Sequence, residues 1–121
     1  MKILMVDDDV EITKAVETVI TSMGHDFQFT NDPRDGLKLI REDNHDMVIL
    51  DLSMPEVSGI DIVNDLAKDG TIKRKKIVIM TASASGDDEL KHLVELGVHS
   101  FLRKPVDIDA ILDKIEEVSS S

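Results

Sequence analysis

The chain has no cysteine, tryptophan or tyrosine, and only three phenylalanines and three prolines in 121 residues. Without cysteine there is no disulfide framework, thiolate metal site or cysteine nucleophile. Positive charge is also scarce: 14 Lys plus Arg face 25 Asp plus Glu, a formal net charge of −11. Phosphate backbones are bound by lysine and arginine, so this balance argues against direct nucleic-acid binding. Long apolar runs are missing too. The longest cover a few residues, far short of the roughly 20 that cross a bilayer as a helix. The amino terminus passes from Met1-Lys2-Ile3-Leu4-Met5-Val6 straight into Asp7, without a signal-peptide pattern. The expectation is a soluble, cytoplasmic protein with no membrane partner.

What is present is a globular composition, 41% hydrophobic, too apolar for disorder. The length suits one domain that buries its own core. Residues 1–121 read as that domain, with a core of about residues 2–118 and a polar tail, Ser119-Ser120-Ser121.

Apolar segments of two kinds alternate along it. Ile3–Val6, Met47–Leu50 and Ile77–Met80 are short, continuous and rich in β-formers, and read as strands. Asp26–Thr30 and His99–Leu102 are mixed and read as two more. Helical spacing links Ile12, Val16, Val19, Ile20 and Met23, with Gly24 placed to cap the end. Asp32-Pro33 reads as an N-cap and first helical residue before Leu37 and Ile40. Ile62, Val63 and Leu66 precede Gly70, and Leu90, Leu93 and Val94 precede Gly97. Asp107 caps a last stripe of Ile108, Ile111, Leu112, Ile115 and Val118.

Five βα units imply a parallel sheet with helices on both faces. The three continuous strands belong inside and the two mixed ones at the edges. The simplest order is 2-1-3-4-5, a flavodoxin-like (βα)5 doubly wound α/β fold.

Ligands of such sheets bind beyond the carboxyl ends of the strands. Strand one is followed by Asp7, Asp8 and Asp9, strand three by Asp51, strand four by Thr81-Ala82-Ser83, and strand five leads to Lys104-Pro105. These strands are neighbours in the inferred order, so Asp7, Asp8, Asp51, Thr81 and Lys104 converge on one edge. Two carboxylates about 4 Å apart repel by roughly 4 kcal/mol at an effective dielectric near 20. A hard divalent cation such as Mg²⁺ relieves this, and the absence of His and Cys ligands argues against zinc. Lys104 supplies a facing cation, Thr81 a hydroxyl donor and Ala82 a backbone N–H. That set suits phosphoryl transfer, with the central Asp51 as nucleophile. Asp9, just before the first helix, reads as its N-cap rather than a ligand.

Val6-Asp7-Asp8-Asp9, the stretch Asp51-Leu52-Ser53-Met54-Pro55-Glu56-Val57-Ser58-Gly59, Thr81-Ala82-Ser83 and Lys104-Pro105 together resemble the receiver domain of two-component response regulators, the CheY-like family. The resemblance implies that Asp51 accepts a phosphoryl group from phosphohistidine on a sensor histidine kinase or histidine phosphotransfer protein. It implies Mg²⁺ held by Asp7, Asp8 and Asp51 with the Ser53 backbone carbonyl, Asp8 ligating directly. It places Lys104 on a phosphoryl oxygen, makes its bond to Pro105 cis, and assigns the switch to Thr81 and Phe101. It makes Ser53 and Ser83 tuners of phosphate lifetime. Output would pass through the face of the fourth predicted helix, the fifth strand and the fifth predicted helix. Phe101 stands where Tyr is frequent and lacks a hydroxyl.

Other readings are weaker. A Mg²⁺-dependent aspartyl-phosphate phosphatase of the haloacid dehalogenase kind needs a second acid where Ser53 stands. An FMN binder would meet repulsion from the acids after strand one. Release of product by an enzyme is not expected, beyond self-catalysed phosphoryl acceptance and slow loss. The run Lys73-Arg74-Lys75-Lys76 reads as a solvated charge cluster in the loop before strand four, and His25, His45, His92 and His99 take no role. Output through a bound partner, or a place in a longer DNA-binding regulator, both fit.

Overall fold

The computed structural model describes residues 1–42, 45–53, 59–81 and 86–120. The element order is β1 (Lys2–Val6), α1 (Val10–Ser22), β2 (Asp26–Thr30), α2 (Pro33–Arg41), β3 (Met47–Asp51), α3 (Gly59–Lys68), α4 (Thr71–Arg74), β4 (Lys76–Thr81), α5 (Asp87–Leu96), β5 (Ser100–Arg103) and α6 (Ile108–Ser119). The strands form one parallel sheet in the order β2-β1-β3-β4-β5, the flavodoxin-like arrangement expected.

Side chains alternate across a strand, and here each set has its own helical cover. Leu4, Val6, Val48, Leu50, Ile77 and Ile79 meet Ile40, Ile62, Leu66, Leu90 and Leu93 from α2, α3 and α5. Ile3, Met5, Met47, Ile49, Val78 and Met80 meet Val16 and Ile20 of α1 and Ile111, Ile115 and Val118 of α6. Most of these strand residues are fully buried, each worth roughly 1.5–3 kcal/mol relative to exposure. The central strands are apolar throughout because water reaches neither face.

The caps follow the sequence. The Asp9 carboxylate accepts from the Glu11 and Ile12 N–H groups, Asp32 from Arg34, and Asp107 from Ala110. Gly24 and Gly97 carry the positive φ of +87° and +122° that ends α1 and α5.

Some details differ from the sequence reading. Met23 and Val94 point outward, 47% and 44% exposed, and buried Thr13 helps to fill the α1 face instead. The last strand begins at Ser100 rather than His99, whose N–H still donates to the Ile77 carbonyl at 2.8 Å. Ser119 completes α6 and is not part of the tail.

The basic run is not simply a solvated loop. Lys73 and Arg74 close the short helix α4, and Lys76 opens β4. Lys75 is buried, with its ammonium on the Glu42 carbonyl. The parallel pairing of Met47 with Lys76 brings β4 alongside β3, so Lys75 is drawn in beneath the chain leaving α2. Among the described residues, no helix is long and apolar enough to cross a membrane.

Candidate functional site

The register sets the site. Val6 lies beside Leu50 across β1 and β3, which brings Asp7, the residue after β1, next to Asp51, the last residue of β3. Both continue buried apolar strands, at 1% and 0% exposure. Asp8 follows on the exposed side of the turn. One carboxylate oxygen from each of Asp7, Asp8 and Asp51 lies within 4.8 Å of the others.

The hydrogen bonds leave a conspicuous remainder. Asp7 Oδ1 accepts from the Asp9 N–H at 2.9 Å. Asp51 Oδ1 accepts from the Ser53 N–H at 2.9 Å and from the Lys104 ammonium at 2.9 Å. The other oxygens, Asp7 Oδ2 and Asp51 Oδ2, are buried and have no hydrogen-bond partner among the described residues. A buried oxygen without a partner costs about 1–3 kcal/mol, more if charged. A cation ligated by oxygens would satisfy both, so the three carboxylates suit Mg²⁺.

Burial pushes the Asp7 carboxyl up from 3.8 to about 7. The Asp9 N–H opposes the rise, the Asp51 charge adds to it, and Lys104 opposes it. Burial, more than the Asp51 charge, therefore disfavours the Asp7 carboxylate, and a cation ligated by its oxygens would offset that penalty.

Thr81 closes β4 and is fully buried. Its carbonyl accepts from the Lys104 N–H at 2.8 Å, so the lysine is held beside Asp51 from its own backbone. The Lys104–Pro105 bond is cis. Phe101 is 36% exposed on β5, with the Arg103 guanidinium 5.7 Å from its ring centre. Asp9 serves its cap and sends its N–H to Asp7, not its carboxylate to the acid cluster. An open groove of about 530 Å³ passes between Asp7, Ser53, Lys104 and Pro105. Ala82 and Ser83, and residues 54–58 of the motif, lie outside the described residues.

Gly59, the last residue of the motif, finds its physical reason in three dimensions, and Asn31 gains importance only there. A Cβ on Gly59 would lie 2.5 Å from Leu52 Cα and 3.1 Å from the Asp51 carbonyl oxygen, so α3 begins against the backbone that carries Asp51. The Asn31 side-chain amide donates to the Asp7 carbonyl at 2.7 Å and to Thr13 Oγ1 at 3.1 Å. Nothing near Asn31 in the sequence announces this, because Asp7 is 24 residues away.

Fold and site together define a flavodoxin-like domain with an acidic pocket at the carboxyl edge of its sheet, faced by a lysine. Residues 3–116 match the family model of the response regulator receiver domain, and the chain belongs to that family. It is 32% identical to the transcriptional regulatory protein GlrR of Escherichia coli over 95% of this chain and 25% of that protein. It is 26% identical to the probable transcriptional regulator ycf29 of Pyropia yezoensis over 97% of this chain and 52% of that one. The chain thus spans about half the length, or less, of such curated relatives. Its structure superposes with a TM-score of 0.85 on the receiver domain of the Francisella response regulator 1452, at 26% identity, covering 98% and 96% of the two chains.

Proposed function

We propose that this chain, as one receiver unit, is a phosphorylation switch of a two-component or phosphorelay system, with Asp51 as phosphoacceptor. The observation that carries this is the state of the Asp51 carboxylate. Oδ1 is held by Lys104 and the Ser53 N–H, while Oδ2 is buried without a partner. One oxygen is thereby fixed by the protein, and the other is open to the cation and the incoming phosphoryl group.

The donor is phosphohistidine of a histidine kinase or histidine phosphotransfer protein. An Asp51 oxygen forms the new O–P bond as the P–N bond breaks, and the departing imidazole takes up a proton. The Lys104 ammonium moves with the charge from carboxylate to phosphoryl oxygen. Asp7, Asp8, Asp51 and the Ser53 carbonyl are the ligands for Mg²⁺, which when bound neutralises phosphoryl oxygen charge. The Thr81 hydroxyl and the Ala82 N–H donate to the phosphoryl group. Ser53 and Ser83 are the tuners of the phosphate lifetime. The acceptor is reset by slow hydrolysis, so the chain signals rather than releasing a metabolic product.

Engagement of Thr81 rebalances the β5 edge, where Phe101 sits outward under Arg103. The α5–β5–α6 face, with Phe101 exposed on β5, changes population and is read by a downstream partner. Incubation with Mg²⁺ and a small acyl-phosphate donor should add one phosphoryl group by intact mass, and Asp51→Asn should abolish it. Undiminished labelling of Asp51→Asn would place the acceptor elsewhere.

A further inference from the structure

We infer that Asn31 is a positioning residue for the acid loop, and that it sets the affinity of that loop for a divalent cation. The inference rests on the reading of Asp7, Asp8 and Asp51 as the cation site. Asn31 follows β2, on the far side of β1 from Asp51. Its orientation is unambiguous: the Asp7 carbonyl can only accept, so the nitrogen of the Asn31 amide must face it.

From there the contacts enclose the loop. Asn31 Nδ2 holds the Asp7 carbonyl at 2.7 Å and Thr13 Oγ1 at 3.1 Å. The Thr13 hydroxyl lies 3.0 Å from the Val10 carbonyl and 3.2 Å from that of Asp9. The Asp9 N–H returns to Asp7 Oδ1 at 2.9 Å, and the Asp9 carboxylate caps α1. The Asp7 N–H is anchored to the Thr30 carbonyl at 3.2 Å. Asp7 and Asp9 are thus tied on either side of exposed Asp8, whose direction follows from theirs. Without the Asn31 donors, the Asp7 peptide and the first turn of α1 lose their common tether. The carboxylates must then be ordered by the cation itself.

Outer contacts of this kind are worth at least about tenfold in metal affinity. In thermal-shift titrations with Mg²⁺, Asn31→Ala should raise the half-saturating concentration about tenfold. Asn31→Leu, which keeps much of the volume but no donor, should do the same. A merely structural role would lower the metal-free melting temperature and leave the half-saturating concentration alone, as expected of the α6 core truncation Ile115→Ala. Should Asn31→Ala fail to fold, Thr13→Val carries the test by severing the Asn31–Thr13 link, with a smaller loss expected. Wild-type Mg²⁺ affinity in Asn31→Ala or Asn31→Leu overturns the inference. The control is Asp8→Asn: if the wild type responds to Mg²⁺ and Asp8→Asn does not, the cation site stands whatever Asn31 does. If the wild type shows no response, the site reading fails and this inference with it.

Discussion

Replacing Asp7 with asparagine should stabilise the metal-free protein above pH 7 while removing its response to Mg²⁺. In the folded chain the Asp7 carboxyl titrates near 7, against 3.8 when unperturbed. Between those values the folded state binds this proton more tightly than the unfolded state. The associated stability is complete below about pH 3.8 and lost as pH rises through about 7. At about 1.4 kcal/mol per pH unit, the ionised carboxylate carries a penalty on the order of 4 kcal/mol at pH 8. Asparagine avoids the charge and keeps an oxygen for the Asp9 N–H, but that bond becomes neutral and the attraction to Lys104 is lost. These losses together take back about 2–3 kcal/mol. A net gain of about 1–2 kcal/mol remains, or about 4–10 °C in melting temperature. Calorimetry with chelator at pH 8 measures it, and a series from pH 4 to 8 should show a flatter decline for the variant. In saturating Mg²⁺ the order should reverse, because only the wild type keeps the ligand. A lower melting temperature for Asp7→Asn in chelator at pH 8, or an unchanged slope between pH 4 and 7, would refute the account.

Gly59→Ala should cost about 1–3 kcal/mol in urea denaturation, because its Cβ would meet the Leu52 backbone at 2.5 Å; an unchanged midpoint would show that α3 can shift without strain. His45, buried at the foot of β3 with its Nε2 2.8 Å from Gln28 Oε1, has its pKa lowered from 6.5 by burial and then by Lys75. The unfolded chain therefore binds this proton more readily, and stability falls as pH drops through 6.5, opposite in sign to Asp7. His45→Gln should remove that part of the acid loss, and an identical slope from pH 6.5 to 5 in the variant would contradict it.

Much of the site was legible in the linear order because it uses strand ends. A parallel sheet puts every carboxyl end on one edge, so reading the residue after each apolar run assembles Asp7, Asp51, Thr81 and Lys104. Caps were legible for a similar reason: Asp9, Asp32 and Asp107 act within three residues of themselves. The misreadings share the opposite cause. Lys75 lies in a basic run that composition assigns to water, yet the β3–β4 register buries it. Val94 fits a helical stripe locally, but α5 turns Leu90 and Leu93 inward and leaves Val94 outside.

The amino-acid sequence by itself determined the alternation of strand and helix, the edge strands and the acids that follow the apolar runs. These depend on periodicity and neighbours a few residues apart. Tertiary structure alone decided which carboxylate oxygens are left without a partner, how far burial raises Asp7, that Asn31 holds the Asp7 carbonyl, and that α3 starts against the Leu52 backbone at Gly59. Burial and hydrogen-bond completion are properties of the closed sheet with both faces covered. No stretch of the chain possesses them before β1, β2 and β3 lie side by side.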